Sequence, residues 1–193
     1  MDRKDNKIIL YSPQAEAVWE AVERDGIAYS KREYVQKKYE ESAGIFLAAY
    51  DAYIRMAEEI VPRPDSTNYP YWAFASEEML DGSTGSKLMV LEVPIDEAVF
   101  FDAYDWYKVL QLSYIGESES DEEAFEQELS RRGIRDSSEA VLKPFYPDMK
   151  RKITDSWKRL LIHDEDIRNG DTSGVRSVQA GLWCIKKEWL KEK

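Results

Sequence analysis

Apolar and polar positions alternate along this chain with two different periods. Ile8-Ile9-Leu10-Tyr11 is a short continuous apolar run, the pattern of a buried strand. Ser12-Pro13 follows it and predicts a helix start: Ser accepts from free backbone amides and Pro suits the first helical position. Ala15, Val18, Trp19 and Val22 then recur at helical spacing, and Asp25-Gly26 closes the segment with a left-handed glycine cap. Ser30-x-x-Glu33 reads as a capping box. The longest helix is expected over residues 40–60, with Ile45, Phe46, Ala49, Tyr53 and Met56 or Ala57 on its inner face.

Val61-Pro62-Arg63-Pro64 ends that helix, and the aromatic stretch Tyr69–Ala75 is expected to be extended. Asp81–Ser86 is a turn-rich loop. Leu88–Val93 is a strand stopped by Pro94, and Val99-Phe100-Phe101 is another. Asp102 caps a helix carrying Tyr104, Trp106, Val109 and Leu110. Residues 117–128 read as a solvated loop and then a short helix with Phe125 and Leu129 at i,i+4. Pro144 and Pro147 frame a break, after which Met149, Ile153, Trp157, Leu160 and Leu161 form an amphipathic stripe. Residues 163–174 read as a polar loop, Val175–Ile185 as a late strand, and Lys186–Lys193 as a polar tail. The order of elements predicts an α+β fold, a small antiparallel or mixed sheet with helices packed against it, in a single domain over residues 1–193.

The chain's 193 residues suffice for one complete core without a metal or disulfide staple. Acids outnumber bases 38 to 27, a net charge of −11, which opposes the counterion release that drives generic nucleic-acid binding. The densest basic cluster, Lys143, Lys150, Arg151, Lys152, Lys158 and Arg159, reads as the solvated face of a helix. One cysteine, Cys184, and one histidine, His163, exclude an internal disulfide, a multi-cysteine metal site and any His–His zinc motif, so no metal site is expected. No apolar stretch approaches the roughly 20 residues of a membrane span, and no signal-peptide core follows the N-terminus; the expected location is the cytoplasm.

Phosphate- and metal-binding motifs fail on order. Gly82-Ser-Thr-Gly85-Ser86-Lys87 has the composition of a phosphate loop without its spacing, and no Gly-x-Gly-x-x-Gly occurs. Asp164-Glu165-Asp166-Ile167-Arg168-Asn169-Gly170 resembles a calcium loop but carries Arg168 at a ligand position. His163 follows an apolar helix end, where it complements the helix terminus, and Cys184 between Trp183 and Ile185 reads as a buried thiol. Glu92 stands out as a carboxylate inside the strand Leu88–Val93, sharing a face with Leu88 and Val90 while Met89, Leu91 and Val93 share the other. It either meets solvent or needs a partner. Tyr69-Pro70-Tyr71-Trp72-Ala73-Phe74 serves either as core packing or as a stacking wall for a planar ligand.

Several of these segments, in this order, resemble the bacterial family called domain of unknown function 3841: Leu10–Gln14 with Trp19 and Gly26, Tyr69–Phe74, Leu91–Pro94, Phe101–Trp106, Ser156-Trp157 and Gln179–Trp183. That family has no established activity, so the resemblance implies kinship without a reaction. A second resemblance, through Tyr11-Ser12 to Gly26-Ile27 and the Gln179-Ala180 strand, is to ADP-ribosyltransferase-like domains. It implies an NAD-contacting first strand and a late strand carrying a catalytic Glu. Gly181 stands here in place of that Glu, and Tyr11 and Ser12 in place of a first-strand His or Arg, so the resemblance implies ligand binding or altered chemistry.

The residue-level expectation is a domain for a nucleotide-like or NAD-like ligand, with doubtful catalytic activity. Tyr11, Ser12 and Gln14 would contact polar groups, Tyr71 and Trp72 would stack, and Glu92 or Gln179 would orient the ligand. NAD is the candidate cofactor. The alternative is an acidic protein-interaction module without enzymatic activity, in which residues 117–128, with seven acids and no base, meet a basic protein partner.

Overall fold

The computed structural model describes residues 3–4, 6–30, 43–80 and 86–191. In chain order its elements are β1 (Arg3–Lys4), β2 (Lys7–Ala15), α1 (Glu16–Asp25), β3 (Ile27–Tyr29), α2 (Ala43–Ala57), β4 (Tyr71–Phe74), β5 (Ser86–Pro94) and β6 (Ala98–Asp102). There follow α3 (Ala103–Leu110), α4 (Glu119–Arg131), α5 (Ser137–Leu142), α6 (Pro147–Ser156), α7 (Asp164–Arg168), β7 (Val178–Leu182) and β8 (Cys184–Lys186). Every ladder is antiparallel. The fold is therefore α+β, as the order of elements predicts.

The main sheet runs β5–β2–β4–β7–β6, with the two-residue β1 on the same edge of β2 as β4. Strands β5 and β6 are consecutive in the chain yet lie at opposite ends of this order, joined only by Ile95–Glu97. A link of that length spans at most about 14 Å. Four inter-strand spacings of a flat sheet cover about 19 Å, so the sheet is curled. Its inner face carries Ile8, Leu10, Met89, Leu91, Phe100 and Leu182, packed with Val22 of α1 and with Ile185 and Trp189. On the outer face Val99 and Phe101 meet Tyr53 of α2, Trp106 of α3 and Met149, Ile153 and Trp157.

Several local readings change in the folded chain. Ser12 and Pro13 do not open a helix: β5 pairs all of β2, from Lys7↔Pro94 to Ala15↔Ser86. That long ladder displaces a local cap, and α1 begins at Glu16 behind Ala15, which provides no side-chain cap. The late strand splits at Trp183, because Trp183 Nε1 donates to the Val61 carbonyl at 2.7 Å while β7 and β8 join different sheets. The 163–174 segment contains α7, and the tail contains a 3-10 turn at Lys187–Trp189 whose Trp189 is buried. Two readings agree in detail: the Asp102 carboxylate accepts the Tyr104 amide at 3.0 Å, and Met89, Leu91 and Val93 are buried while Leu88, Val90 and Glu92 are not. Glu33 of the expected capping box, residues 81–85 and the Ile45 side chain lie outside the described residues. Among the described residues no helix is long and apolar enough to cross a membrane.

Candidate functional site

The registers of four ladders define a single row across the curled sheet. Val90 faces Tyr11, Tyr11 faces Phe74, Phe74 faces Gln179, and Gln179 faces Phe101. Directly opposed side chains on one face lie about 4.5–5.5 Å apart, so the row is continuous. Its exposure falls from one end to the other: Val90, Tyr11 and Phe74 are half-buried, Gln179 is 3% exposed and Phe101 is fully buried. In the neighbouring row Trp72 faces Gly181, which faces Val99.

Gln179 sits where this face passes from half-open to closed. A neutral carboxamide carries two donor hydrogens and an acceptor oxygen, and buried amides in folded proteins are almost always hydrogen-bonded. The Gln179 side chain makes no hydrogen bond among the described residues and is not one of the buried groups left without a partner, so its carboxamide keeps contact with solvent while its backbone is held between β4 and β6. Around it the rings are fixed. Trp72 packs at 4.7 Å from Trp106 and 5.0 Å from Tyr53, and its Nε1 donates to the Tyr50 hydroxyl at 2.8 Å. Tyr53 lies over Gly181 so closely that an added Cβ would stand 2.0 Å from its hydroxyl. That hydroxyl is buried without a hydrogen-bond partner, and burial raises its pKa well above the ordinary phenol value.

Of the seven residues expected at a site, four share this face: Tyr11 and Gln179 in one row, Trp72 beside it, and Glu92 opposite Ile9 further along β2. Glu92 meets solvent and pairs with Lys7 at 3.8 Å. The other three belong to the opposite face. Ser12 is fully buried, donates to the Trp72 carbonyl at 2.7 Å and accepts from Gln14 Nε2 at 2.8 Å, so both polar side chains are committed to the fold. Tyr71 packs with the inner cluster. Phe74 and Tyr53 were missed as site residues. The signal for Phe74 is the two-residue alternation that puts it on the Trp72 face. The row from Val90 to Phe101 carries ring, amide and aliphatic groups, and the Lys7–Glu92 pair lies further along the same face.

The acidic segment is largely occupied with its own fold. Glu117 pairs with Arg159 at 2.6 Å, Glu122 with Lys108 at 2.5 Å, and Glu128 with Lys152 at 2.7 Å and Arg132 at 3.0 Å. Asp121 accepts the Tyr114 hydroxyl at 2.9 Å. Ion pairs also occupy half of the basic cluster: Lys152 answers Glu128 of α4, Arg159 answers Glu117 just before it, and Lys143 pairs with Glu139. Two surface hollows lie apart from the Gln179 row. One, of about 410 Å³, is lined by Tyr114, Lys152, Asp155, Ser156, Lys158 and Arg159, and one, of about 540 Å³, by Asp25, Gly26, Ile27, Lys186, Lys187 and Glu188.

A curled antiparallel sheet with one half-open aromatic face and a helical layer beside it defines an α+β domain. Residues 9–191 match the model of the family described as Domain of unknown function (DUF3841), and the chain belongs to that family. No curated protein matches the chain, and no solved structure matches it.

Proposed function

We propose that this chain is a small-molecule-binding domain whose site is the face formed by Tyr11, Trp72, Phe74 and Gln179, and that its ligand is nucleotide-like, with NAD among the candidates. The observation that carries this reading is the continuous half-open row Val90, Tyr11 and Phe74, with the Gln179 carboxamide at its closed end and Trp72 beside it.

The resemblance to ADP-ribosyltransferase-like domains belongs to this reading, in the form of binding without ribosyl transfer. On that resemblance Gly181 would stand at the position of their catalytic carboxylate, and the Tyr53 hydroxyl fills the space a side chain there would need. No carboxylate is then placed at that point to stabilise positive charge developing on a sugar. The acidic-module alternative has less support, because Glu117, Asp121, Glu122 and Glu128 are already engaged within the chain.

The test is a thermal-shift and calorimetric panel of NAD, ADP-ribose, ADP and nucleosides at millimolar concentration. Ligand that binds only the folded state at one hundred times its Kd adds about 2.7 kcal/mol of stability. The expected result is a raised Tm for at least one of these compounds, lost in Tyr11→Ala. An unchanged Tm across the whole panel overturns the proposal.

A further inference from the structure

The hollow of about 410 Å³ between α6 and the loop that leads into α4 is ionic in character. Its lining holds three cations, Lys152, Lys158 and Arg159, against one carboxylate, Asp155, on a chain whose net charge is −11. Two of the cations are set in place by the fold. Arg159 donates to the Ile115 carbonyl at 3.1 Å, and its guanidinium stands 5.8 Å from the centre of the Tyr114 ring. Lys152 Nζ stands 5.9 Å from the same ring and 5.1 Å from that of Phe125, and it pairs with Glu128 at 2.7 Å. Lys158, on the 3-10 turn Trp157–Leu161, is exposed and makes no ion pair among the described residues. The two hydroxyls of the lining are committed, Tyr114 to Asp121 and Ser156 to the Ile153 carbonyl.

Arg159 also holds Glu117 at 2.6 Å, through a carboxylate side chain that is 75% exposed. Such an exposed pair contributes little to stability. The guanidinium has more N–H donors than these two contacts use, in the fork geometry that grips a phosphate. We propose that this hollow is a site for a phosphate monoester, in which Arg159 and Lys158 hold the phosphate and Glu117 stands in for it until the ligand displaces it. The hollow exceeds a bare phosphate in size, which leaves room for the organic group of an ester beside Tyr114. The site is separate from the Gln179 row and stands or falls without it.

Isothermal titration of the full chain with phenyl phosphate, with inorganic phosphate and, as a singly charged control, with acetate tests the proposal. Phenyl phosphate should bind, inorganic phosphate more weakly, and acetate not measurably. Lys158→Met should weaken phenyl phosphate binding about fivefold. Glu117→Gln and Asp155→Asn should each tighten it about threefold, because a competing or repelling carboxylate is gone. All three side chains are exposed, so each variant should keep the parent's circular dichroism spectrum. Absence of binding by both phosphates overturns the proposal, as does phenyl phosphate binding that Lys158→Met and Glu117→Gln leave unchanged. Inorganic phosphate that binds as tightly as the ester overturns the assignment to a monoester.

Discussion

Asp164 and Arg168 stand one turn apart on α7 and between them close the outer edge of β6. The Asp164 carboxylate accepts the Phe100 amide at 2.7 Å and the Arg168 guanidinium at 2.5 Å. Arg168 gives its other N–H groups to the carbonyls of Ile95, at 2.7 Å, and Ala98. A strand edge is a template for pairing with another chain, and here side chains satisfy what a further strand would otherwise reach. The pair is nearly buried, so loss of one partner strands the other's charge.

Arg168→Ala is therefore expected to cost about 3–5 kcal/mol in urea unfolding, the range for breaking a buried ion pair. It should also raise the sheet's tendency to self-associate. Size-exclusion chromatography and a denaturation curve check both effects. A variant as stable and as monodisperse as the parent would mean that the pair does not guard the edge.

The Tyr53 hydroxyl offers a second test, because it is buried without a partner and stands where a Gly181 side chain would go. Tyr53→Phe should be neutral or stabilising by up to about 1 kcal/mol, since it removes a desolvated polar group without changing ring packing. Gly181→Ala should destabilise sharply. In the double variant part of that loss should return, although the ring carbon Cζ would still stand 2.8 Å from the new Cβ. A double-mutant cycle measures the coupling, and strict additivity would contradict the geometry.

Ion pairs on and around α4 make the helical layer acid-sensitive. Hydrogen bonding to Lys152 lowers the Glu128 pKa, the Glu117 amide and Tyr114 hydroxyl lower that of Asp121, and Arg132 lowers that of Asp148. A carboxylate with a depressed folded-state pKa stabilises the fold above its unfolded value of about 4, and that stability is lost as pH falls through the folded value. Stability should thus be level near neutrality and decline below about pH 4. The decline should be shallower in Glu128→Gln, and added salt should weaken the exposed pairs. Thermal melts across pH 2.5–7 check the prediction.

Cys184 titrates at the other extreme, its thiol pushed up by burial to about 11. A raised acid keeps its proton in the folded state, so its contribution is complete below the unfolded value near 9 and is lost as pH rises towards about 11. The thiolate is the reactive form. Alkylation by iodoacetamide at pH 8 should accordingly be slow in the native protein and fast in urea. Rapid native labelling would place the thiol at the surface.

Much of this architecture is legible in the sequence where a local signal and the fold agree. The alternation of Leu88–Val93 marks its two faces, Asp102 marks a helix start, and the Met149–Leu160 stripe marks a buried helix face. The sequence misleads where tertiary pairing wins. Ser12-Pro13 has the chemistry of a helix start, yet a nine-residue partner strand holds it extended. The α7 segment looks polar apart from Ile167 because its Asp and Arg serve a strand edge that no periodicity reveals. At the site, Tyr11, Trp72 and Gln179 can be named from residue type. Their common face, and the placement of Ser12, Gln14 and Tyr71 on the other, depends on register between strands far apart in the chain.

Strand β7 lies in the interior of the sheet between β4 and β6, yet both neighbours precede it, and Ala98 finds Leu182 only after the whole α3–α7 block has intervened. During vectorial synthesis the ribosome must therefore deliver two hydrophobic strands well before the one that joins them. Such non-local pairing makes folding slow and leaves sticky intermediates. The nascent chain thus passes through a window in which chaperone capture, rather than final stability, decides its yield.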